Sequence, residues 1–183
     1  MKNVFVIHSY NGDTELSFAP SIEKICKKNN IKYFFPHFPL RQSATYEGWE
    51  EELNKYRNHI NENTIIIAHS LGTHFVPKYL AKNNIKINAY ISVAGFLNYK
   101  GREDLERIVS LFIPTEEEFF KCRGLVNKIY SFYSDNDELN SISNLESYAN
   151  ILGGQKMLIN GYGHFGSKSG VTEVEDINNI ILK

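Results

Sequence analysis

Three short stretches carry the residue types of acyl transfer, in the chain order serine, acid, histidine. The first is Ala68-His69-Ser70-Leu71-Gly72, which closes the apolar run Thr64–Ile67. It is the pattern G-x-S-x-G with Ala at the first position. Small residues two places either side of a serine let it occupy a tight strand-to-helix turn at φ > 0, with its hydroxyl raised above the sheet. The second is Ser134-Asp135-Asn136-Asp137-Glu138, after the apolar run Ile129–Tyr133. The third is Asn160-Gly161-Tyr162-Gly163-His164-Phe165-Gly166, where glycines free a histidine loop to reach a neighbouring strand end. A serine hydroxyl is a weak nucleophile until a histidine takes its proton. The histidine in turn needs an acid to fix its tautomer and stabilise the imidazolium. Ser70 as nucleophile, His164 as base and an acid among Asp135, Asp137 and Glu138 would meet these needs.

The developing oxyanion needs two backbone N–H groups. Leu71, directly after the serine, is one candidate, at the N-terminus of the following helix. The other lies in the loop after the first strand, His8-Ser9-Tyr10-Asn11-Gly12, from Ser9 or Tyr10, with Asn11-Gly12 making the turn.

These loops need a scaffold that brings strand ends together, and the hydrophobic pattern describes one. Strands are expected at Asn3–His8, Ile31–Phe35, Thr64–Ala68, Ile87–Ala94, Ile129–Tyr133 and Lys156–Ile159. Between them apolar residues recur at helical spacing. Phe18, Ile22, Ile25 and Cys26 mark one helix, and Tyr46, Trp49, Leu53, Tyr56 and Ile60 another. Others run from Gly72 to about Leu80, from Ile142 to Leu152 and from Val174 to Ile181. Pro77 is compatible with its helix only at a kink or near the first turn. Several strands lack in–out alternation, so both faces should be covered. The fold expected is α/β: a three-layer α/β/α sandwich on a mostly parallel sheet of about six strands. Ligands of such sheets sit beyond the carboxyl ends of the strands, where Ser70 falls.

One stretch breaks the alternation, Phe96 to about Val126. It reads as a helical, lid-like excursion over one end of the sheet. Phe96, Phe112, Phe119 and Phe120 could wall an apolar acyl or aryl site, or simply anchor the excursion in the core.

Composition narrows the function classes. The 183 residues suit one domain, spanning 1–183, and the net charge of −1 gives no attraction for nucleic acid or an anionic membrane. The opening Val-Phe-Val-Ile is too short for a secretory segment and no apolar run reaches the roughly 18 residues of a membrane span. A cytoplasmic location is the expectation. Cys26 and Cys122 form no metal or redox motif and read as reduced thiols. His69, His74, His37 and His59 read as structural. His69 and His74 are not an H-E-x-x-H pair, and no phosphate loop occurs, so neither metal nor cofactor is expected.

The chain resembles the small α/β-hydrolases of the YdeN-like group, which includes retinoblastoma-binding protein 9. The resemblance rests on the opening strand with its His8 loop, Pro36 and Pro39 ahead of the Trp49 helix, the AHSLG turn, SDNDEL, and GYGHFGSKSG before a terminal helix. It implies a minimal α/β-hydrolase fold without a leading antiparallel hairpin. It also implies Asp137 as the acid, with Asp135 the alternative. Family members often read His-Gly where this chain has His8-Ser9. The activity implied is that of a serine hydrolase on a small acyl substrate, with no cofactor. A carboxylesterase is the first expectation. A thioesterase, amidase or peptidase on the same residues, or a non-catalytic protein-binding module, are the alternatives.

Overall fold

A computed structural model of the chain describes residues 1–12, 16 and 18–183. Strands and helices alternate in the order β1 (Asn3–Ile7), α1 (Ala19–Lys28), β2 (Lys32–Phe34), α2 (Tyr46–Asn54), β3 (Thr64–His69), α3 (Gly72–Asn83) and β4 (Ile87–Val93). Then come α4 (Glu103–Phe112), α5 (Glu116–Leu125), β5 (Val126–Ser134), α6 (Ile142–Leu152), β6 (Gln155–Ile159) and α7 (Glu175–Leu182). The strands form one sheet in the order β2-β1-β3-β4-β5-β6, and every pairing is parallel. The expected three-layer sandwich is therefore present, on a wholly parallel sheet.

The unbroken apolar runs of β1 and β3 follow from burial on two faces. Phe5, Ile7, Ile66 and Ala68 join a core with Trp49, Phe75, Phe119 and Leu145. Val4, Val6, Ile65 and Ile67 join the opposite core with Phe18, Ile22, Ile177 and Ile181. Helices α1 and α7 thus cover one face, and α2, α3, α5 and α6 the other. β2 lies on one side of β1 and β3 on the other, with α1 and α3 on opposite faces. The crevice at that switch of direction opens between the carboxyl ends of β1 and β3.

Three local outcomes differ from the sequence pattern. Helix α2 ends at Asn54 and a 3-10 turn spans Arg57–His59, although Ile60 is still buried at 3% exposure. The apolar stripe continues while the helix does not. Pro77 sits well inside α3, which runs through it unbroken. Proline has no N–H to give the carbonyl four residues earlier, that of Thr73. The hydroxyls of Tyr90 (3.0 Å) and Tyr148 (2.6 Å) donate to it instead, from β4 and α6. Finally, β5 begins at Val126, directly after α5, three residues before its apolar run.

Segment 96–126 folds as α4 and α5. Helix α5 packs beside α3, α6 and β5, opened by a capping box in which Thr115 and Glu118 satisfy each other's backbone N–H groups. Phe112 at the end of α4 is fully buried, with its ring 4.9 Å from that of Trp49.

The elbow depends on Gly72. A Cβ there would lie 2.8 Å from the carbonyl oxygen of His8 and 3.2 Å from that of Ile7, backbone atoms that cannot swing aside. Gly124, in α5, has nothing within 4 Å of its virtual Cβ. Gly72→Ala should therefore lose about 1–3 kcal/mol to overpacking, and Gly124→Ala should gain about 0.5–1 kcal/mol of helix stability. Urea unfolding midpoints at unchanged slope check both. Equal shifts of one sign would contradict the packing account.

Candidate active site

Ser70 follows β3 with φ of 51°, a conformation that costs a non-glycine residue about 1–2 kcal/mol. Its backbone is held on both sides. Its N–H donates to the Val93 carbonyl at the end of β4 (3.0 Å), and its carbonyl accepts the Thr73 N–H (2.9 Å) and hydroxyl (2.6 Å). One strand further on, Ala94 repeats the device at φ 51°, its N–H donating to the Phe132 carbonyl at 2.9 Å.

His164 has to come from the loop after β6, three strands away from β3. A ladder of side-chain acceptors brings it back. Asp135 accepts the Gly161 N–H (2.8 Å), Ser134 the Tyr162 N–H (3.0 Å), Asn136 the Gly163 N–H (2.8 Å) and Glu138 the His164 N–H (3.1 Å). Gly161 and Gly163 take φ of 80° and 51°, and Phe165, at 56°, buries its ring completely. The polar run 134–138 is therefore the clamp of the histidine loop.

Within that loop the imidazole of His164 is placed between two partners. Its Nδ1 lies 2.7 Å from Asp137 Oδ2 and its Nε2 lies 3.0 Å from Ser70 Oγ. The Asp137 side chain is fully buried and that of His164 nearly so. A carboxylate accepts, so Nδ1 carries the proton and Nε2 faces the serine hydroxyl as an acceptor. The other oxygen of Asp137 takes the N–H groups of Leu139 (2.8 Å) and Asn140 (3.0 Å). The structure thus brings together Ser70, His164 and Asp137. It places Asp135 on the exposed side of the loop and Glu138 on the His164 backbone.

The first loop meets this group at the crevice. Ser9 and Gly12 form a bridge, with the Gly12 N–H on the Ser9 carbonyl (3.2 Å) and Gly12 at φ 87°. His8 links the loop to the next segment: its Nδ1 donates to the Ser9 carbonyl (2.7 Å) and its Nε2 accepts the Phe38 N–H (3.1 Å). Ser9, Tyr10 and Leu71 all line the cleft beside Ser70. Among the described residues the N–H groups of Tyr10 and Leu71 have no intramolecular partner.

A family model described as Serine hydrolase matches residues 34–183. The chain belongs to this family. In sequence, this serine hydrolase is 26% identical over 97 residues to YdeN of Bacillus subtilis strain 168, a protein described as a hydrolase. That match takes in 52% of the chain and 51% of YdeN, about half the length of each. In structure, the fold superposes on the crystal structure of the B. subtilis ydeN product with a TM-score of 0.82 at 19% identity, covering 100% of this chain and 97% of that one. It also superposes on a carboxylesterase structure from the thaumarchaeon Nitrososphaera gargenis, with a TM-score of 0.71 at 12% identity, over 99% and 88% of the two chains. These likenesses establish an α/β-hydrolase fold of YdeN type.

The cleft of this serine hydrolase holds about 80 Å³ and is walled by Leu71, Phe96, Leu105, Val109 and Leu139. Leu105 and Val109 come from α4, one stripe with the Phe112 anchor. Of the four aromatics that could wall this site or anchor the excursion, Phe96 lines the cleft and Phe112, Phe119 and Phe120 do not. Phe119 packs against Tyr148 (5.7 Å between rings), and Phe120 is 70% exposed beneath the Arg123 guanidinium. Nothing in the sequence pattern distinguished the α4 pair, because a helical stripe reads the same whether it faces core or cleft.

His69, which reads as structural in the sequence, does more than pack. It is buried, and its Nε2 donates to the His164 carbonyl at 2.7 Å. Burial pushes His69 and His74 down to about 3, so both are neutral. Cys26 and Cys122 are free, buried thiols, pushed up to about 11 and about 12 by burial. Among the described residues no three metal-ligating side chains gather, and no helix is long and apolar enough to cross a membrane.

Neither ring nitrogen of His74 has a partner among the described residues. A histidine held neutral binds its proton only on unfolding. The stability it confers is complete above the unfolded value of about 6.5 and is lost as pH falls toward its folded value of about 3. His74→Phe removes two unpartnered polar atoms and one such proton. It should raise stability at pH 7 and shallow the loss between pH 6 and 4 by up to about 1.4 kcal/mol per pH unit. An unchanged pH slope in urea titrations would contradict this reading.

Proposed function

We propose that the protein is a carboxylesterase that cleaves short acyl esters through an acyl-enzyme on Ser70. The observation that carries this reading is the continuous chain from the Ser70 hydroxyl through His164 to the buried Asp137. A binding-only role requires none of these three groups in that order.

Each step uses a group already described. Ser70 Oγ attacks the carbonyl carbon while His164 Nε2 takes its proton. The negative oxygen lies against the N–H groups of Leu71 and Tyr10, which have no partner among the described residues, while Ser9 builds the turn that presents Tyr10. The tetrahedral intermediate collapses, and the leaving alkoxide takes the proton back from Nε2. Water then repeats the sequence and frees Ser70. Asp137 stays ionised throughout, holding the Nδ1 proton and the ring's orientation. No electron transfer occurs, so no cofactor is called for. The small apolar cleft favours a short acyl chain, and the carboxylesterase of N. gargenis shares the fold. A role for α4 as one wall of the acyl site follows from Leu105 and Val109.

Two sets of variants test this. Ser70→Ala should abolish p-nitrophenyl acetate hydrolysis and labelling by a fluorophosphonate probe, a loss of about 10⁶-fold. Asp137→Asn should cost about 10⁴-fold, whereas Asp135→Asn keeps an acceptor for the Gly161 N–H and should cost little. Equal losses in the two Asn variants would overturn the assignment of the acid. For the acyl site, Val109→Ala should shift preference toward longer acyl chains by about ten-fold, the effect of one methylene-sized contact. Phe120→Ala, at an exposed residue outside the cleft lining, should leave the chain-length profile alone. A profile unmoved by Val109→Ala would remove α4 from the acyl wall.

A further inference from the structure

We infer that the alcohol half of the substrate is a neutral polyhydroxyl compound, a sugar or sugar-like polyol, seated in a groove beside the catalytic cleft. The inference rests on the esterase reading above and names the substrate class of that same site.

The groove adjoins the cleft, with Tyr99, Leu139 and Asn140 lining both. It also opens on the appropriate side. The leaving oxygen must take its proton from His164 Nε2, so the alcohol departs toward the histidine and its acid loop. Leu139 and Asn140 belong to that loop, with their N–H groups on Asp137. The apolar wall from Phe96 and α4 remains for the acyl group.

Size and chemistry then separate the two compartments. The cleft holds about 80 Å³ and the groove about 420 Å³. Beyond the shared residues, the groove presents Asn98 and Lys100 from the loop after β4, and Ser141, Ser143 and Ser147 from the start of α6. Ser147 Oγ donates to the Ser143 carbonyl (2.7 Å) and Ser143 Oγ pairs with Ser141 Oγ (3.1 Å), so these hydroxyls offer their remaining lone pairs beside the Lys100 ammonium donors, a mix that suits the donors and acceptors of a polyol. An apolar alcohol would meet only Leu97, Leu139 and the ring of Tyr99 among otherwise polar side chains. A multiply anionic leaving group, such as a nucleotide-bearing thiol, would meet a single cation among the described lining residues, Lys100.

The groove is also held in shape. Asn144 ties its two walls, accepting the N–H groups of Leu97 (3.0 Å) and Asn98 (3.2 Å). It donates to the Asn98 carbonyl (2.7 Å) and to Asn140 Oδ1 (3.3 Å). A rigid polar surface loses less on binding than loops that must first be ordered.

Ethyl acetate and 6-O-acetylglucose test this directly. They share the acyl group and a primary alkoxide leaving group, and differ in the hydroxyls that would occupy the groove. The wild-type kcat/KM should favour the sugar ester by at least about ten-fold, the effect of two ordinary hydrogen bonds. In Ser143→Leu/Ser147→Leu, and separately in Lys100→Ala, that ratio should fall toward one. Circular dichroism establishes that each variant is folded. Equal kcat/KM for the two esters in the wild type, or a ratio unmoved by both variants, would overturn the inference and leave the Ser70 mechanism intact. Absence of both p-nitrophenyl acetate turnover and Ser70 labelling would instead overturn the esterase reading, and this inference with it.

Discussion

A histidine on the loop after an edge strand has to reach a serine three strands away, about 14 Å at ordinary strand spacing. The carboxyl end of the sheet is organised around holding it there. All four polar atoms of His164 are engaged. Its N–H donates to Glu138, its carbonyl accepts from His69, its Nδ1 faces Asp137 and its Nε2 faces Ser70. Each net hydrogen bond is worth only about 0.5–1.5 kcal/mol. Their value here is geometric, because a ring fixed at both backbone and side chain has one orientation in which to work. The same residues explain each other: His69 is the neighbour of Ser70, and Glu138 the neighbour of Asp137. One movement of either loop would disturb both ends of the proposed relay.

The serine end is held by a different kind of constraint. The left-handed backbone of Ser70 is unfavourable on its own and persists because β4 and the first turn of α3 grip it. Helix α3 can begin there only because Gly72 lets it approach the carbonyl ends of β1. Further along, the two tyrosine hydroxyls on the Thr73 carbonyl tie α3 to β4 and α6, where Pro77 leaves that carbonyl unpaired. Ala68, in place of the usual glycine, is buried within the sheet, where a methyl group is accommodated.

Most of the scaffold was legible in the sequence because its central strands are apolar on both sides. Such runs stand out whatever surrounds them. The ends of elements were less so. Ile60 continues the stripe of α2 after the helix has ended, because burial can be satisfied by a 3-10 turn as well as by a helix. The start of β5 lies in Val126-Asn127-Lys128, where the exposed Asn127 and Lys128 hide the strand. At the site, Ser70, His164 and the acid loop were readable from residue type and chain order. The ladder of Ser134, Asp135, Asn136 and Glu138 onto the histidine loop was not, nor was the bond from His69, since each depends on how two distant loops are placed against one another. The same holds for the cleft wall, which Phe96 shares with Leu105 and Val109 and not with Phe119 or Phe120.

The central claim is that Ser70, His164 and Asp137 act together with the Leu71 and Tyr10 N–H groups. A crystal structure of the protein after reaction with a small alkyl phosphonate tests all five at once. The account predicts phosphorus bonded to Ser70 Oγ, with the phosphonyl oxygen within about 3 Å of the Leu71 and Tyr10 nitrogens. It also predicts that His164 Nδ1 remains on Asp137. Phosphorus on another side chain, a phosphonyl oxygen turned away from these two nitrogens, or a His164 ring bonded to Asp135 would contradict it.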